Sequence, residues 1–330
     1  MSPSKSRRLL GAATLLLACA CLPFQQAQAQ TFPVKPIRTV LPYSAGSGPD
    51  SVTRTVGEKA ARDWGQPLVV DNKPGANGWL AIGEAKRAAA DGYTLMTVDA
   101  THMALQPHLY KQLPFDPVKD FEPVAGLYTT GFFIVVGADS PFKTVADLVA
   151  AARTKSGGLT YGSWGIGSVA HVGTAMFESA TKVEMRHIPF KELPQLYTAV
   201  ATGEVDWAFG TAATAGPLFK AKKVRFLAYG GQKRLNGYLD VPTVAESGGP
   251  AGFELRTWVA LYGPKGIPAP ASERIAAGVA KALADADTRD RLANFGFEPW
   301  IASPAEIARA AEADKVRYAE IVRGAKIALD

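Results

Sequence analysis

Two rhythms alternate along the chain: short runs rich in β-branched residues, and longer stretches in which apolar residues return every three or four positions. Residues 37–41 read as a first strand, ended by Pro42. Between residues 50 and 64, Val52, Val56, Ala60 and Trp64 fall four apart and predict a helix with one buried stripe. Asp50 suits its N-cap and Gly65 its end. Residues 68–70 and 93–98 predict the next strands, with a helix over 83–90 between them. Strands are then expected over 132–136, 159–161, 185–188, 205–209 and 224–228, with helices over 145–153, 168–181 and 193–201. An extended segment follows at 253–262, and helices over 271–294 and 304–321 close the sequence.

Strands that alternate with helices indicate an α/β protein with largely parallel sheets. The pattern forms two such units, the second inserted in the first. Residues 30–131 and 253–330 make lobe 1, and 132–252 make lobe 2. A two-lobed molecule with a cleft is expected.

Residues 1–29 stand apart from this pattern. Lys5, Arg7 and Arg8 precede an apolar stretch over 9–22, and Ala27-Gln28-Ala29 supplies the small residues a signal peptidase reads. The apolar run is short for a membrane span, so cleavage before Gln30 and a soluble periplasmic protein are expected. Ser6-Arg7-Arg8-Leu9-Leu10 loosely fits a twin-arginine signal, beside the ordinary secretory route. Leu16-Leu17-Ala18-Cys19 could act as a lipobox with Cys19 acylated, in competition with the downstream site. Cys19 and Cys21 are the only cysteines, so the exported chain has no disulfide, thiol nucleophile or cysteine metal ligand.

Charge excludes one class of partner. Taking Lys5, Arg7 and Arg8 from the 36 basic residues leaves 33 against 30 acidic ones, a net of +3. Basic residues are dispersed except for Lys220, Lys222, Lys223 and Arg225, which read as a solvated helix end. Nucleic-acid binding is not expected.

Two loops share one design. Tyr43, Ser44, Ala45, Gly46, Ser47, Gly48 and Asp50 link the first strand to the first helix. Ser163, Trp164, Gly165, Gly167 and Ser168 do the same in the second unit, with His171 in the helix that follows. Ligands of open parallel sheets lie beyond the carboxyl ends of the strands, where such loops sit. Glycines let a ligand approach the backbone, and the following helix aims unsatisfied N–H groups and its positive dipole end at it. The pair predicts a small anion, most simply a carboxylate, held between two helix N-termini.

Enzyme signatures are missing. No G-x-S-x-G occurs, since Tyr161 and Ala45 stand where the first glycine would precede Ser163 and Ser47. Gly165-Ile166-Gly167 is followed by Ala170, which breaks G-x-G-x-x-G, and there is no P-loop. His102, His108, His171 and His187 show no H-x-x-x-H pairing, so neither a metal nor a cofactor is expected. His171 and then His102 are the histidines nearest the expected ligand.

From Phe32 almost to the C-terminus the chain resembles the Bug-type extracytoplasmic solute receptors, the substrate-binding subunits of tripartite tricarboxylate transporters. The resemblance rests on FPVKPIRTVLPYSAGSGPD, NKPGANG, ADGYTL, LYKQLPFDPVKDFEPVA, LTYGSWGIGSVAH, GEVD, DVPTVAESG and GPKGIPAP, in that order. It implies a type II periplasmic-binding-protein fold, each lobe a mixed sheet flanked by helices, that closes over a dicarboxylate, tricarboxylate, amino acid or aromatic acid. It implies a carboxylate grip by residues 44–48 with Asp50 as a helix cap, a second contact set at Ser163, Gly165, Gly167, Ser168 and His171, and a third at Thr101 and His102. Phe190, Gly210 and Thr211 stand at further cleft positions of the family.

Several positions depart from the family pattern. Ser47 and Pro49 replace a glycine and a threonine, Gly210 and Thr211 replace an Asp-Asn pair, and Glu192 replaces a glycine. Trp79 and Trp164 replace smaller or polar residues. Losing an acidic wall residue while gaining Trp164 suggests a larger or aromatic carboxylate. The expected role is a monomeric, non-catalytic receptor that delivers its ligand to integral-membrane permease subunits. Two alternatives stand beside it: a sensor for a membrane signalling protein, and a hydrolase using Ser163 or Ser168 with His171.

Overall fold

The computed structural model describes residues 32–155, 158–325, 327 and 329. The expected export signal, Cys19 included, lies outside the described residues. Two sheets organise the rest. The first contains β1 (Ile37–Leu41), β2 (Leu68–Asn72), β3 (Thr94–Asp99), β4 (Phe121–Gly131), β10 (Arg256–Pro264) and β11 (Glu298–Pro299), in the order β11-β4-β10-β3-β1-β2. The second contains β5 (Phe133–Gly137), β6 (Leu159–Ser163), β7 (Met185–Pro189), β8 (Trp207–Gly210) and β9 (Val224–Tyr229), in the order β7-β6-β8-β5-β9.

Both sheets are mixed rather than largely parallel. β1 runs parallel to β2 and β3, and β6 parallel to β7 and β8. β10 is antiparallel to β3 and β4, and β5 antiparallel to β8 and β9. A parallel neighbour needs a crossover connection, usually a helix. No helix precedes β5 or β10, because each follows the chain as it passes from one sheet to the other.

That passage is a hydrogen-bonded pair of crossing segments. Only Phe132 separates β4 from β5. Its N–H donates to the Leu255 carbonyl (3.2 Å), Gly230 N–H donates to the Phe132 carbonyl (2.7 Å), and Leu255 N–H donates to Gly230 (2.8 Å). The outgoing crossing is a single residue, and the returning segment, residues 230–255, is tied to it at both of its ends.

The helices are α1 (Gly48–Trp64), α2 (Trp79–Arg87), α3 (Gln106–Leu109), α4 (Val145–Thr154), α5 (Val169–Thr181), α6 (Leu193–Thr202), α7 (Ala212–Lys220), α8 (Ala269–Ala284), α9 (Ala286–Asn294) and α10 (Pro304–Gly324). In α1 the expected stripe Val52, Val56, Ala60 and Trp64 is buried. Its N-cap is Ser47, not Asp50, because Pro49 already takes helical geometry in the first turn. The helix expected over 271–294 breaks at Asp285, whose carboxylate accepts the Thr288 N–H (3.3 Å) and starts α9. β4 was not expected, and α7 was expected only as a helix end at the basic run that begins with Lys220. Pro123 and Gly126 disguise the first, and Gly216 and Pro217 the second.

Candidate functional site

Three strands end at one place: β1, β6 and β8 each deliver the chain into α1, α5 and α7. The caps of those helices, Ser47, Ser168 and Thr211, all line a single cavity of about 420 Å³. The first-turn N–H groups of a helix have no partner within it and carry its positive dipole end. Their convergence offers an anion N–H donors without a cationic side chain, in a lining that also holds the Asp99 carboxylate. Among the described residues lining the cavity there is no lysine or arginine.

The three caps are not equivalent. Ser168 Oγ accepts the His171 N–H (3.3 Å), and Thr211 and Thr214 form a reciprocal capping box. Ser47 makes no side-chain cap bond, and its hydroxyl is buried without a hydrogen-bond partner. The Thr257 hydroxyl, also in the lining, is in the same condition, whereas the Tyr43 hydroxyl faces the Asp99 carboxylate. Buried polar atoms are rarely left unsatisfied, so the Ser47 and Thr257 oxygens, both on elements of the first sheet, mark where a polar group of a ligand would sit.

His102 completes this side. It lies in a π-helical turn, Thr101–Leu105, directly after β3; such turns recur at functional sites. Its Nδ1 is 2.7 Å from Asp99 Oδ1, and its N–H donates to the same oxygen (3.3 Å). The carboxylate thereby fixes the ring's orientation. Burial pushes the Asp99 carboxyl up, but its contacts with His102 outweigh this and hold it below its ordinary range. Burial, and then the Asp99 charge, pushes the Tyr43 and Tyr128 phenols well above theirs. Behind the ring lies Gly78 (φ +87°), where a Cβ would stand 2.5 Å from His102 Nε2. The Asn77 carbonyl next to it accepts from Gln106 Nε2 (2.8 Å), and Gln106 Oε1 accepts from Trp79 Nε1 (3.0 Å). Trp79 therefore acts as a brace and does not line the cavity.

Of the residues singled out from the sequence, Tyr43, Ser47, Gly48, Thr101, His102, Trp164, Gly167, Ser168 and Thr211 line the cavity. The others lie outside the lining. Ser44, Ala45 and Gly46 form the exposed outer turn of the first loop. Asp50 accepts from Gly46 N (2.8 Å), Arg54 Nε (3.0 Å) and Asn72 Nδ2 (2.9 Å), and so braces the loop from behind. Burial pushes its carboxyl up, and these bonds more than reverse that.

In the second loop Ser163 is fully buried, with its Oγ bonded to Gly165 on both sides and 2.6 Å from His187 Nε2. Gly165 is half-buried beside the exposed Ile166 and lies outside the lining. His171 faces away from the cavity: its Nδ1 accepts the Gly167 N–H (3.1 Å) and its ring stacks on His187, centroids 4.4 Å apart. Phe190 packs into the core beside Gly162, and Gly210 lies against Tyr197, whose hydroxyl would be 2.8 Å from a Cβ there.

The structure adds residues the sequence pattern did not single out. Asp99 could have been found from its spacing, since Asp99 and His102 are three apart after a strand. Tyr128, Thr257 and Phe297 come from strands and loops remote in sequence and carried no local signal. Tyr128 and Phe297 stack at 4.3 Å against Gly48, and Phe132 and Trp164 stack at 6.1 Å on the opposite wall.

A family model described as tripartite tricarboxylate transporter family receptor matches residues 52–327. A Cupriavidus necator protein named "UPF0065 protein in gbd 5'region" is 35% identical over 96% of this chain and 95% of its own length. Among solved structures, Rpa4515 of R. palustris with adipate is 29% identical, with a TM-score of 0.82 over 90% of this chain and 100% of that one. MatC from Rhodopseudomonas palustris with bound malate is 28% identical, with a TM-score of 0.77 over 88% of this chain and 100% of that one.

Proposed function

Because the chain belongs to the tripartite tricarboxylate transporter receptor family, we propose that it captures a small carboxylate in the 420 Å³ cavity and presents it to integral-membrane permease subunits. The observation that carries this reading is the convergence of three helix N-termini on a cavity with no lysine or arginine among the described residues that line it. A carboxylate there is held by N–H groups, hydroxyls and dipoles rather than by an ion pair. The structures solved with adipate and malate support a carboxylate ligand for this chain.

The lobes of this reading are 30–131 with 253–330, and 132–252, joined at the crossing around Phe132, Gly230 and Leu255. A ligand that touches both lobes favours their closed arrangement, because it gains its full contacts only there. Residues 1–29 export the chain to the periplasm as a soluble monomer, without acylation at Cys19. No reaction is assigned. Ser163 is fully buried and inaccessible to substrate, and Ser168 Oγ caps α5 without pairing to a base.

The test is a thermal-shift screen of the mature protein over carboxylic acids, with matched amines and sugars as controls. A ligand present at a hundredfold its Kd adds about 2.7 kcal/mol to apparent stability. Stabilisation by carboxylates alone is expected. Stabilisation only by uncharged or cationic compounds would overturn the reading.

A further inference from the structure

We infer that the ligand is an aromatic carboxylate, whose carboxylate lies on the first-sheet side and whose ring is held between two stacked aromatic pairs. This rests on the receptor reading above and narrows its ligand class. The two walls of the cavity differ in kind. The Ser47 and Thr257 hydroxyls, buried without partners, belong to the first sheet's elements, and with the α1 N-terminus they define the place for the charged end. The second-sheet side brings Trp164, Ile166, Val169 and Leu193 into the lining beside the polar caps Ser168 and Thr211.

Two aromatic pairs line the cavity. Tyr128 and Phe297 stack with an interplanar angle of 16°, Phe132 and Trp164 with one of 26°, and all four line the cavity. Offset and edge-to-face contacts with a ring exceed what area alone contributes, whereas a flexible aliphatic chain gains no such term and loses rotamer freedom. The pairs are also positioned before any ligand arrives: Gly48 lies flush on Phe297, where a Cβ would be 2.7 Å from the ring. Trp164 belongs to the loop that also supplies Gly167 and Ser168, so its indole is the part of the platform that meets the ligand from the second sheet. We assign it as the residue that selects ring-bearing acids.

Calorimetric titration with benzoate, terephthalate, adipate and citrate tests this, with tryptophan emission followed in parallel. One or both aromatic acids should bind at least about tenfold tighter than either aliphatic acid, with a change in emission. Trp164→Leu should weaken the aromatic acid about tenfold and Trp164→Tyr by no more than about threefold. Unfolding midpoints of both variants show whether the fold is kept. Tighter binding of adipate or citrate would overturn the aromatic assignment and leave the carboxylate receptor standing. Equal affinities of the leucine variant and the parent for the aromatic acid would overturn the role of Trp164. Binding of none of these acids, nor of any other carboxylate in the screen, would overturn both.

Discussion

Acid should loosen the second-sheet loop before it unfolds the protein, and His187 is the residue to measure. Its ring contacts those of Tyr161 (4.9 Å) and His171 (4.4 Å), with Nε2 2.6 Å from Ser163 Oγ. Burial, and then the neighbouring His171, pushes it from its ordinary 6.5 down to about 4; burial also lowers His171. The other ionisable group near this stack is Glu178, which acts on Tyr161 and which burial raises. Between about pH 6.5 and 4 the unfolded chain binds the His187 proton and the folded chain does not, so stability rises with pH across that window. The His187 contribution is therefore intact above about 6.5, falls as pH drops, and levels off below about 4. The ceiling is about 3 kcal/mol, and partial solvent contact reduces it to about 1–2 kcal/mol. Urea unfolding at about pH 7.5 and 4.5 of the parent and of His187→Asn isolates the term. The parent should lose about 1–2 kcal/mol more than the variant. Equal losses would refute the assignment of a neutral, buried imidazole.

Two further perturbations test the parts that frame the cavity. Gly78→Ala forces a left-handed alanine and a Cβ 2.5 Å from His102 Nε2, so it should cost about 2 kcal/mol in denaturant unfolding and weaken carboxylate binding; unchanged affinity would remove His102 from the site. Asp50→Ala strips the acceptor from Gly46, Arg54 and Asn72 at a residue 3% exposed. A loss of about 2–3 kcal/mol is expected, and a loss below about 0.5 kcal/mol would show that the loop holds itself.

The fold was legible where local rules govern it. The α1 stripe and the strands at 37–41 and 159–161 needed only a short window of sequence, because side-chain period and cap chemistry act within a turn or two. β4 was hidden because its meaning is tertiary: a Cβ on Gly126 would stand 2.5 Å from the Trp300 carbonyl, a constraint set by a residue far along the chain. In the site, Ser47 and Ser168 were visible as members of the two glycine–serine loops between strand and helix, and the structure places both in the cavity lining. His171 was read as facing the ligand because it opens α5, but the third residue after the cap turns toward β6 and β7, where His187 and Tyr161 stack on it. Whether the cavity would be apolar could not be read locally, since Tyr128, Phe132 and Phe297 meet Trp164's side of the molecule only through the crossing of the two sheets.

The central claim is that a carboxylate is held at the N-terminus of α1 by groups that carry no formal positive charge. The most direct measurement is a crystal structure of the protein grown with the tightest-binding acid from the titrations. The account predicts a carboxylate oxygen within hydrogen-bond reach of Ser47 Oγ, between Tyr43 and Thr257, with the rest of the ligand against Trp164. A carboxylate paired with a lysine or arginine outside this cavity would contradict it.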